Sequence, residues 1–343
     1  MARPVRNENL TVTAARERWP LQGEFRISRA VKREANVVVA TVGDGIHQGR
    51  GECVPYARYG ETVESILGEL SGVRALSVRE ALDVDCANRL LPAGAGRNAL
   101  DCALWDWRAQ ALGRTVWEQL RLPGPSPTAT AYTLGIASPD EMCERARAHR
   151  HRPLLKIKLG GDDAASDGDR LRAVRDGAPD AELIVDANEG WTPARLEALL
   201  PVADDVGVSM IEQPLAAGRD EALLGLDSPV PIGADESAHL PRELPALRGK
   251  YQVVNIKLDK TGGLTTALAM AMAARGQGFD VMIGCMVATS LAMAPALLLA
   301  GFARFVDLDG PLLLRKDREP GLNYRDSLIE WPNERIWGTP SSG

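Results

Sequence analysis

Eight short apolar runs, TATAYTL, LLKIKL, ELIVDA, VSMIEQ, VPIGAD, QVVNIKL, DVMIGC and ARFVDLD, follow one another between residues 128 and 309, with room for a helix between most of them. Runs of this length separated by helix-length stretches predict parallel strands joined by crossovers, and eight of them predict a closed barrel. Such barrels carry their chemistry at the C-terminal ends of the strands. Five of the runs end there on a charge. Lys158 closes LLKIK, Asp186 closes ELIVD, Glu212 closes VSMIE, Asp235 follows PIGA and Lys257 closes VVNIK. Three carboxylates on successive strands therefore stand between two lysines.

A barrel takes about 200 to 250 residues, and the chain has 343, so a smaller second unit is expected. Residues 1–125 read as an α+β module, completed by 311–343, with the barrel over 126–310. NVVVATV and GRGECV read as two strands joined by a Gly-rich turn. Gly43, Gly45 and Gly49 do not make GxGxxG, and no helix-opening signature follows them, so no dinucleotide site is indicated. Two helical stretches come next. In RNALDCALWDWRAQALG, Leu100, Leu104, Trp107 and Ala111 recur at helical spacing and Gly113 can end the helix. The turn-rich LPGPSPT marks the boundary, and Ser138-Pro139-Asp140-Glu141 opens a helix with a capping box. The proline-rich segment after Gly310 shows no amphipathic helix and is expected to run back over the first unit.

With 40 basic against 46 acidic residues and no basic run interleaved with aromatics, nucleic acid is excluded as a partner. The apolar stretch from Met286 to Phe302 is interrupted by Thr289, Ser290, Pro295 and Gly301 and is shorter than the roughly 20 residues of a membrane span, so it reads as a buried helix. No signal-peptide pattern is visible, which makes the cytoplasm the expected compartment. The five scattered cysteines read as buried thiols, and His149 with His151 as a solvated helix end.

An acidic residue at a single strand end is most often solvated or a helix cap. Three on successive strands point to a hard divalent cation such as Mg²⁺, which takes oxygen ligands and leaves places for water and substrate. Lys156 and Lys158 are two apart in a strand and share a face. Taken alone they could lie on a solvated edge strand. Beside the acidic trio, Lys158 reads as a proton carrier whose pKa is lowered by Lys156, while Lys156 helps to neutralise a substrate carboxylate. Lys257 lies four strands from Lys158, on the opposite wall of an eight-stranded barrel. Two bases across a pore can address opposite faces of one carbon. Removal of a hydrogen alpha to a carboxylate creates an enediolate, whose charge a bound Mg²⁺ stabilises.

KxK, DAN, EQP, ADES and NIKLDKTGG, in this order and spacing, resemble the muconate-lactonizing subgroup of the enolase superfamily. A lysine base with Mg²⁺ is the known pattern of that superfamily. The resemblance covers essentially the whole chain and implies a (β/α)7β TIM-like barrel under an N-terminal α+β capping domain. It carries one Mg²⁺ per subunit over to Asp186, Glu212 and Asp235, with Asn188 and Glu236 behind them, and the acid/base pair over to Lys158 and Lys257. Family members are commonly homo-oligomers; the sequence leaves the oligomeric state open.

Members with this cage include cycloisomerases, succinylbenzoate synthases, N-acylamino acid racemases and dipeptide epimerases. Asp307-Leu308-Asp309 followed by Gly-Pro resembles the dipeptide epimerases, in which an acidic pair holds the substrate's free amine. EFRISR supplies Arg26 and Arg29, and Arg29 resembles by position the arginine of Ala-Glu epimerases that binds an acidic side chain. GCMVATS also resembles this group, and implies that Met286 to Thr289 line the peptide portion of the substrate. The expected function is a Mg²⁺-dependent L-Ala-D/L-Glu-type dipeptide epimerase acting on a small dipeptide by two-base 1,1-proton transfer. The alternatives are an N-acylamino acid racemase, an o-succinylbenzoate synthase, or a dipeptide epimerase with another side-chain preference.

Overall fold

The computed structural model describes residues 9–161 and 164–340. Its N-terminal sheet is built on one long hairpin, β1 (Asn9–Ile27) against β2 (Ala30–Gly43), flanked by β3 (Gln48–Cys53) and β4 (Ala75–Ser77) in the order β3-β2-β1-β4. Alternation along β1 and β2 sends Leu10, Val12, Val38, Ala40 and Val42 into a core beneath the helix Ala95–Leu112. Val37 and Val39, of opposite parity on β2, join the main core on the barrel side.

That helix buries two faces. Leu100, Leu104 and Trp107 form the stripe legible in the sequence, while Cys102, Trp105 and Ala109 pack against the barrel side. Gly113 ends it in the left-handed conformation, φ 61°. Its backbone lies directly on β3, where Gly49 and Gly51 leave the necessary room. A Cβ on Gly51 would stand 2.7 Å from the Ala103 amide nitrogen, and one on Gly49 2.8 Å from the Trp107 Cα.

After β5 (Thr128–Ala129) come the barrel strands β6 (Tyr132–Leu134), β7 (Leu154–Lys158), β8 (Glu182–Asp186), β9 (Val208–Glu212), β10 (Ile232–Ala234), β11 (Val253–Ile256), β12 (Asp280–Gly284) and β13 (Phe305–Asp307). They run parallel in sequence order. The seam between β13 and β6 is bridged by Ala131 N donating to Val306 O at 2.8 Å and by Leu308 N donating to Thr130 Oγ1 at 2.8 Å. Ser138 caps the helix Pro139–Ala148 as its sequence predicts, and Thr192 caps the helix Pro193–Asp205. The connections after β9 and β10 hold only short helical turns, so the strand-helix alternation is incomplete on that side.

Period-two alternation also sorts the barrel strands. Leu154, Ile184, Met210, Val253, Met282 and Phe305 meet inside the pore as a separate apolar cluster that plugs its lower end. The residues two and four positions further along the same strands, Lys156, Lys158, Asp186, Glu212, Asn255 and Asp307, therefore rise above that plug. Gly284 makes room among them, because a Cβ there would stand 2.5 Å from Asn255 Oδ1.

Beyond the barrel, β14 (Asn323–Arg325) pairs with β15 (Leu328–Glu330), which in turn pairs with β5. The chain then returns to the N-terminal unit, where Trp337 is fully buried and donates to the Cys102 carbonyl at 3.0 Å. The segment Met286–Phe302 contains the buried helix Ser290–Leu297. Of the five thiols, Cys53, Cys86 and Cys102 are buried, whereas Cys143 and Cys285 are only partly so. His149 follows the helix Pro139–Ala148 and is half-buried against the Tyr132 ring, so the solvated reading holds for His151 but not for His149.

Candidate active site

Lys158 is the last residue of β7, and Lys257 follows the last residue of β11, four strands away around the barrel. Lys158 Nζ donates to Asp186 Oδ2 at 2.5 Å, and Lys257 Nζ to Asp235 Oδ2 at 2.7 Å. Both lysines and all three carboxylates are buried. Lys260, in the helical turn after β11, lies 2.7 Å from Asp235 Oδ1. Asn255 donates to Glu212 Oε1 at 2.6 Å.

Lys156 behaves differently from its expected role. Its Nζ lies 2.7 Å from Glu212, 2.8 Å from Asp307 and 3.2 Å from Asp186. Burial opposes its charge, but Asp307, Glu212 and Asp186 outweigh burial and hold its pKa well above the ordinary lysine value. It is the counter-ion of the pore carboxylates, with its ammonium engaged by them instead of offered to a substrate carboxylate. Lys257 is likewise raised, against burial, chiefly by Asp235. Asp186 and Asp235 are lowered, the first by Lys158 and Lys156 and the second by Lys257 and Lys260, in each case against the effect of burial. Glu212 goes the other way, raised by burial and by Asp186.

Among the described residues, no three acidic, histidine or cysteine side chains stand close enough, as oriented, to ligate one ion. Lys156 lies between Asp186 and Glu212, while Lys257 and Lys260 hold Asp235. The donor chemistry nevertheless suits a hard cation. Glu212 Oε2, Asp235 Oδ1 and Asn188 Oδ1 are buried without a hydrogen-bond partner, the first two having lysines at ion-pair distance but not in hydrogen-bonding geometry. Buried orphan oxygens at the end of a charged pore fit a Mg²⁺-like ion.

Asn188 and Glu236 stand beside the trio. Asn188 adopts φ 45°, and its amide donates to Asp186 Oδ1 at 2.9 Å, which orients that carboxylate. Glu236 is paired with Arg29 and raised above the usual carboxylate range by burial and by Asp235.

Asp307 and Asp309 both line the same cavity as the lysines. Asp307 Oδ2 faces Lys156, while its Oδ1 is buried without a hydrogen-bond partner among the described residues. Asp309 Oδ2 accepts from Thr133 N at 2.7 Å, helping to close the barrel seam, and burial with the neighbouring charge of Asp307 raises its pKa. The pair offers one free carboxylate oxygen and one carboxylate built into the fold.

The remaining expectations divide. Met286 lines the cavity. Thr289 does not: it caps the helix Ser290–Leu297, and its hydroxyl donates to Glu52 Oε2 at 2.5 Å. It joins the barrel to β3 and is fully buried. Arg26 is exposed and points away from the cavity, because alternation along β1 turns Phe25 and Ile27 toward it. Arg29 reaches the cavity wall, but Glu236, the Asn188 carbonyl at 2.8 Å and the Tyr56 hydroxyl at 2.8 Å already engage its guanidinium. Sequence reasoning missed Phe25, Ile27, Lys32 and Tyr56, all of which line the cavity. The only signal that could have found Lys32 is the hairpin register, which pairs it with Phe25.

The family description "Mandelate racemase / muconate lactonizing enzyme, N-terminal domain" matches residues 9–120, and "Enolase C-terminal domain-like" matches residues 140–334. The L-Ala-D/L-Glu epimerase of Escherichia coli (strain K12) is 45% identical over 92% of this chain and 97% of its own. The N-acetyl-D-glutamate racemase of Pseudoalteromonas sp is 44% identical over 88% and 95%. A solved structure from Agrobacterium tumefaciens, an enolase family member with homology to dipeptide epimerases holding sodium and L-Ala-L-Glu, superposes with a TM-score of 0.91 at 46% identity, covering 96% of this chain and 100% of that one. Matched along both of its parts by the two domains of that family, the chain belongs to the mandelate racemase and muconate-lactonizing branch of the enolase superfamily.

Proposed function

We propose that the protein is a Mg²⁺-dependent dipeptide epimerase of the L-Ala-D/L-Glu type, which inverts the α-carbon of the C-terminal residue. The observation that carries this reading is the pair of lysines on opposite walls of one charged pore, in a cavity shared with an acidic pair that has a free oxygen. A carbon held between Lys158 and Lys257 can lose its proton to one and regain a proton from the other on the opposite face. Inversion needs both lysines, one neutral and one protonated in each direction. Mg²⁺ held by Asp186, Glu212 and Asp235, one ion per subunit, would supply the positive charge that stabilises a carboxylate whose α-proton is leaving.

Asp307 Oδ1 accepts a hydrogen bond from the substrate's ammonium, and Lys156, bonded to Oδ2, keeps that carboxylate aimed. An N-acylamino acid or a succinylbenzoate precursor brings no ammonium for this oxygen, which favours a dipeptide. Recycling of cell-wall peptides in the cytoplasm, by a homo-oligomer as is common in the family, completes the reading. The test is proton NMR in D₂O with L-Ala-L-Glu and Mg²⁺. Deuterium should enter at the Glu α-carbon, L-Ala-D-Glu should accumulate, and EDTA should stop both. Absence of α-exchange at Glu refutes the reading.

A further inference from the structure

The hairpin of β1 and β2 overhangs the rim of the barrel, and its register pairs Phe25 with Lys32 and Ile27 with Ala30. Cross-strand partners present their side chains on one face. Lys32 therefore shares the face of Phe25 and Ile27 and lines the same cavity as Lys158 and Lys257. It also lines a second cavity that continues outward between the hairpin tip and Tyr56, so its side chain stands where the two spaces meet.

Every other cation on the wall of the catalytic cavity faces a carboxylate. Arg29 has Glu236 and Glu189, Lys156 has Asp307, Glu212 and Asp186, Lys158 has Asp186, and Lys257 has Asp235. Lys32 has no carboxylate and no hydrogen-bond acceptor among the described residues. Its Nζ lies 5.3 Å from the centroid of the Tyr56 ring, a contact that suits a cation without neutralising it. Burial, with Lys158, Arg29 and Lys257 as its charged neighbours, pulls its pKa down, so its charge is uncompensated in the protein alone. An unpaired, partly desolvated cation is costly, and an arriving anion relieves that cost.

We propose that Lys32, and not Arg29, selects an acidic side chain on the C-terminal residue of the substrate, its ammonium pairing with the distal carboxylate. The assignment rests on the dipeptide epimerase reading. Arg29 serves as a brace that ties the hairpin tip to the loop after β8 through the Asn188 carbonyl and Glu189, and to Glu236 after β10. Phe25, Ile27 and Tyr56 surround the alkyl part of the pocket.

The experiment compares L-Ala-L-Glu with its neutral isostere L-Ala-L-Gln, in the presence of Mg²⁺, for the parent, Lys32→Met and Lys32→Arg. In Lys32→Met the ratio of kcat/KM for Glu over Gln should fall roughly 10- to 100-fold, with KM carrying the change, as expected for loss of one charge-assisted hydrogen bond. Lys32→Arg should keep the ratio within about threefold of the parent. A ratio unchanged in Lys32→Met overturns the proposal. So does an equal fall on both substrates, since a residue that merely tuned Lys158 or Lys257 would slow both alike and shift both pH profiles. If the parent turns over neither dipeptide, the epimerase reading fails, and calorimetric Kd values for the same pair still decide Lys32. Binding of neither dipeptide by the parent overturns both.

Discussion

Replacing Asp307 by Asn removes one negative charge at the point where the proposed function places the substrate's amine. Lys156 keeps Glu212 at 2.7 Å and Asp186 at 3.2 Å, so its ammonium is still compensated and the pore should hold its shape. The loss is concentrated at Oδ1, the buried oxygen without a partner. If the new amide turns its oxygen to Lys156, its NH₂ faces the substrate's ammonium, donor against donor. If it turns the other way, it presents the NH₂ to Lys156. Loss of a hydrogen bond to a charged group is worth about 1.5 to 3 kcal/mol, which lowers kcat/KM for L-Ala-L-Glu by about 10- to 150-fold. The control is N-propionyl-L-glutamate, the same molecule without its ammonium, for which the variant should lose little. Rates of α-deuteration by NMR in D₂O give both values. An equal fall on the two substrates would mean that Asp307 acts only through Lys156, and no fall on L-Ala-L-Glu would remove it from amine recognition.

Other expectations follow from the same geometry. Lys158→Ala and Lys257→Ala should each abolish epimerisation by a factor of roughly 10² to 10⁴ or more, with one variant retaining α-exchange from one enantiomer; full activity in both rules out the two-base assignment. Asp259 joins the units by accepting from Val54 N at 3.0 Å and Asn98 Nδ2 at 2.9 Å, and burial raises its pKa to about 7. The native state then holds a proton that the unfolded chain releases near 3.8, so stability should fall by about 4 kcal/mol as pH rises from about 4 to 7. Urea midpoints across that range should show a shallower decline in Asp259→Asn, the residual slope coming from the other carboxyls that burial raises, Asp101 to about 6 and Glu212 and Asp309 to about 7. Gly51→Ala should cost about 1 to 3 kcal/mol or more by pushing the helix Ala95–Leu112 off β3. Gly68→Ala, on an open helical face, should stabilise by about 0.5 to 1 kcal/mol; denaturant titrations that fail to separate the two refute the packing argument.

Much of the charged layer was legible because strand alternation is a local property. Once LLKIK is a strand whose Leu154 faces the pore, Lys156 and Lys158 must face it too, and the same parity lifts Asp186 above Ile184 and Glu212 above Met210. Misassignments arose where a residue's role depends on a partner far away in the chain. Thr289 looked like pocket wall from its neighbours in GCMVATS, yet Glu52, 237 positions away, makes it a joint between the two units. Arg29 looked like a free carboxylate ligand until Glu236, 207 positions away, engaged it.

By itself, the order of strands and the charges at their ends determined the barrel, the two lysines and the three carboxylates, because backbone periodicity and chain order carry that information locally. Only the tertiary structure decided which charges remain free for a substrate. Lys156 is spent on three carboxylates, Asp309 on the barrel seam and Arg29 on the hairpin brace, whereas among the described residues Asp307 Oδ1 has no hydrogen-bond partner and Lys32 faces no carboxylate. The reason is that a side chain's pairing depends on hairpin register and barrel closure. These bring together residues that no short-range pattern connects.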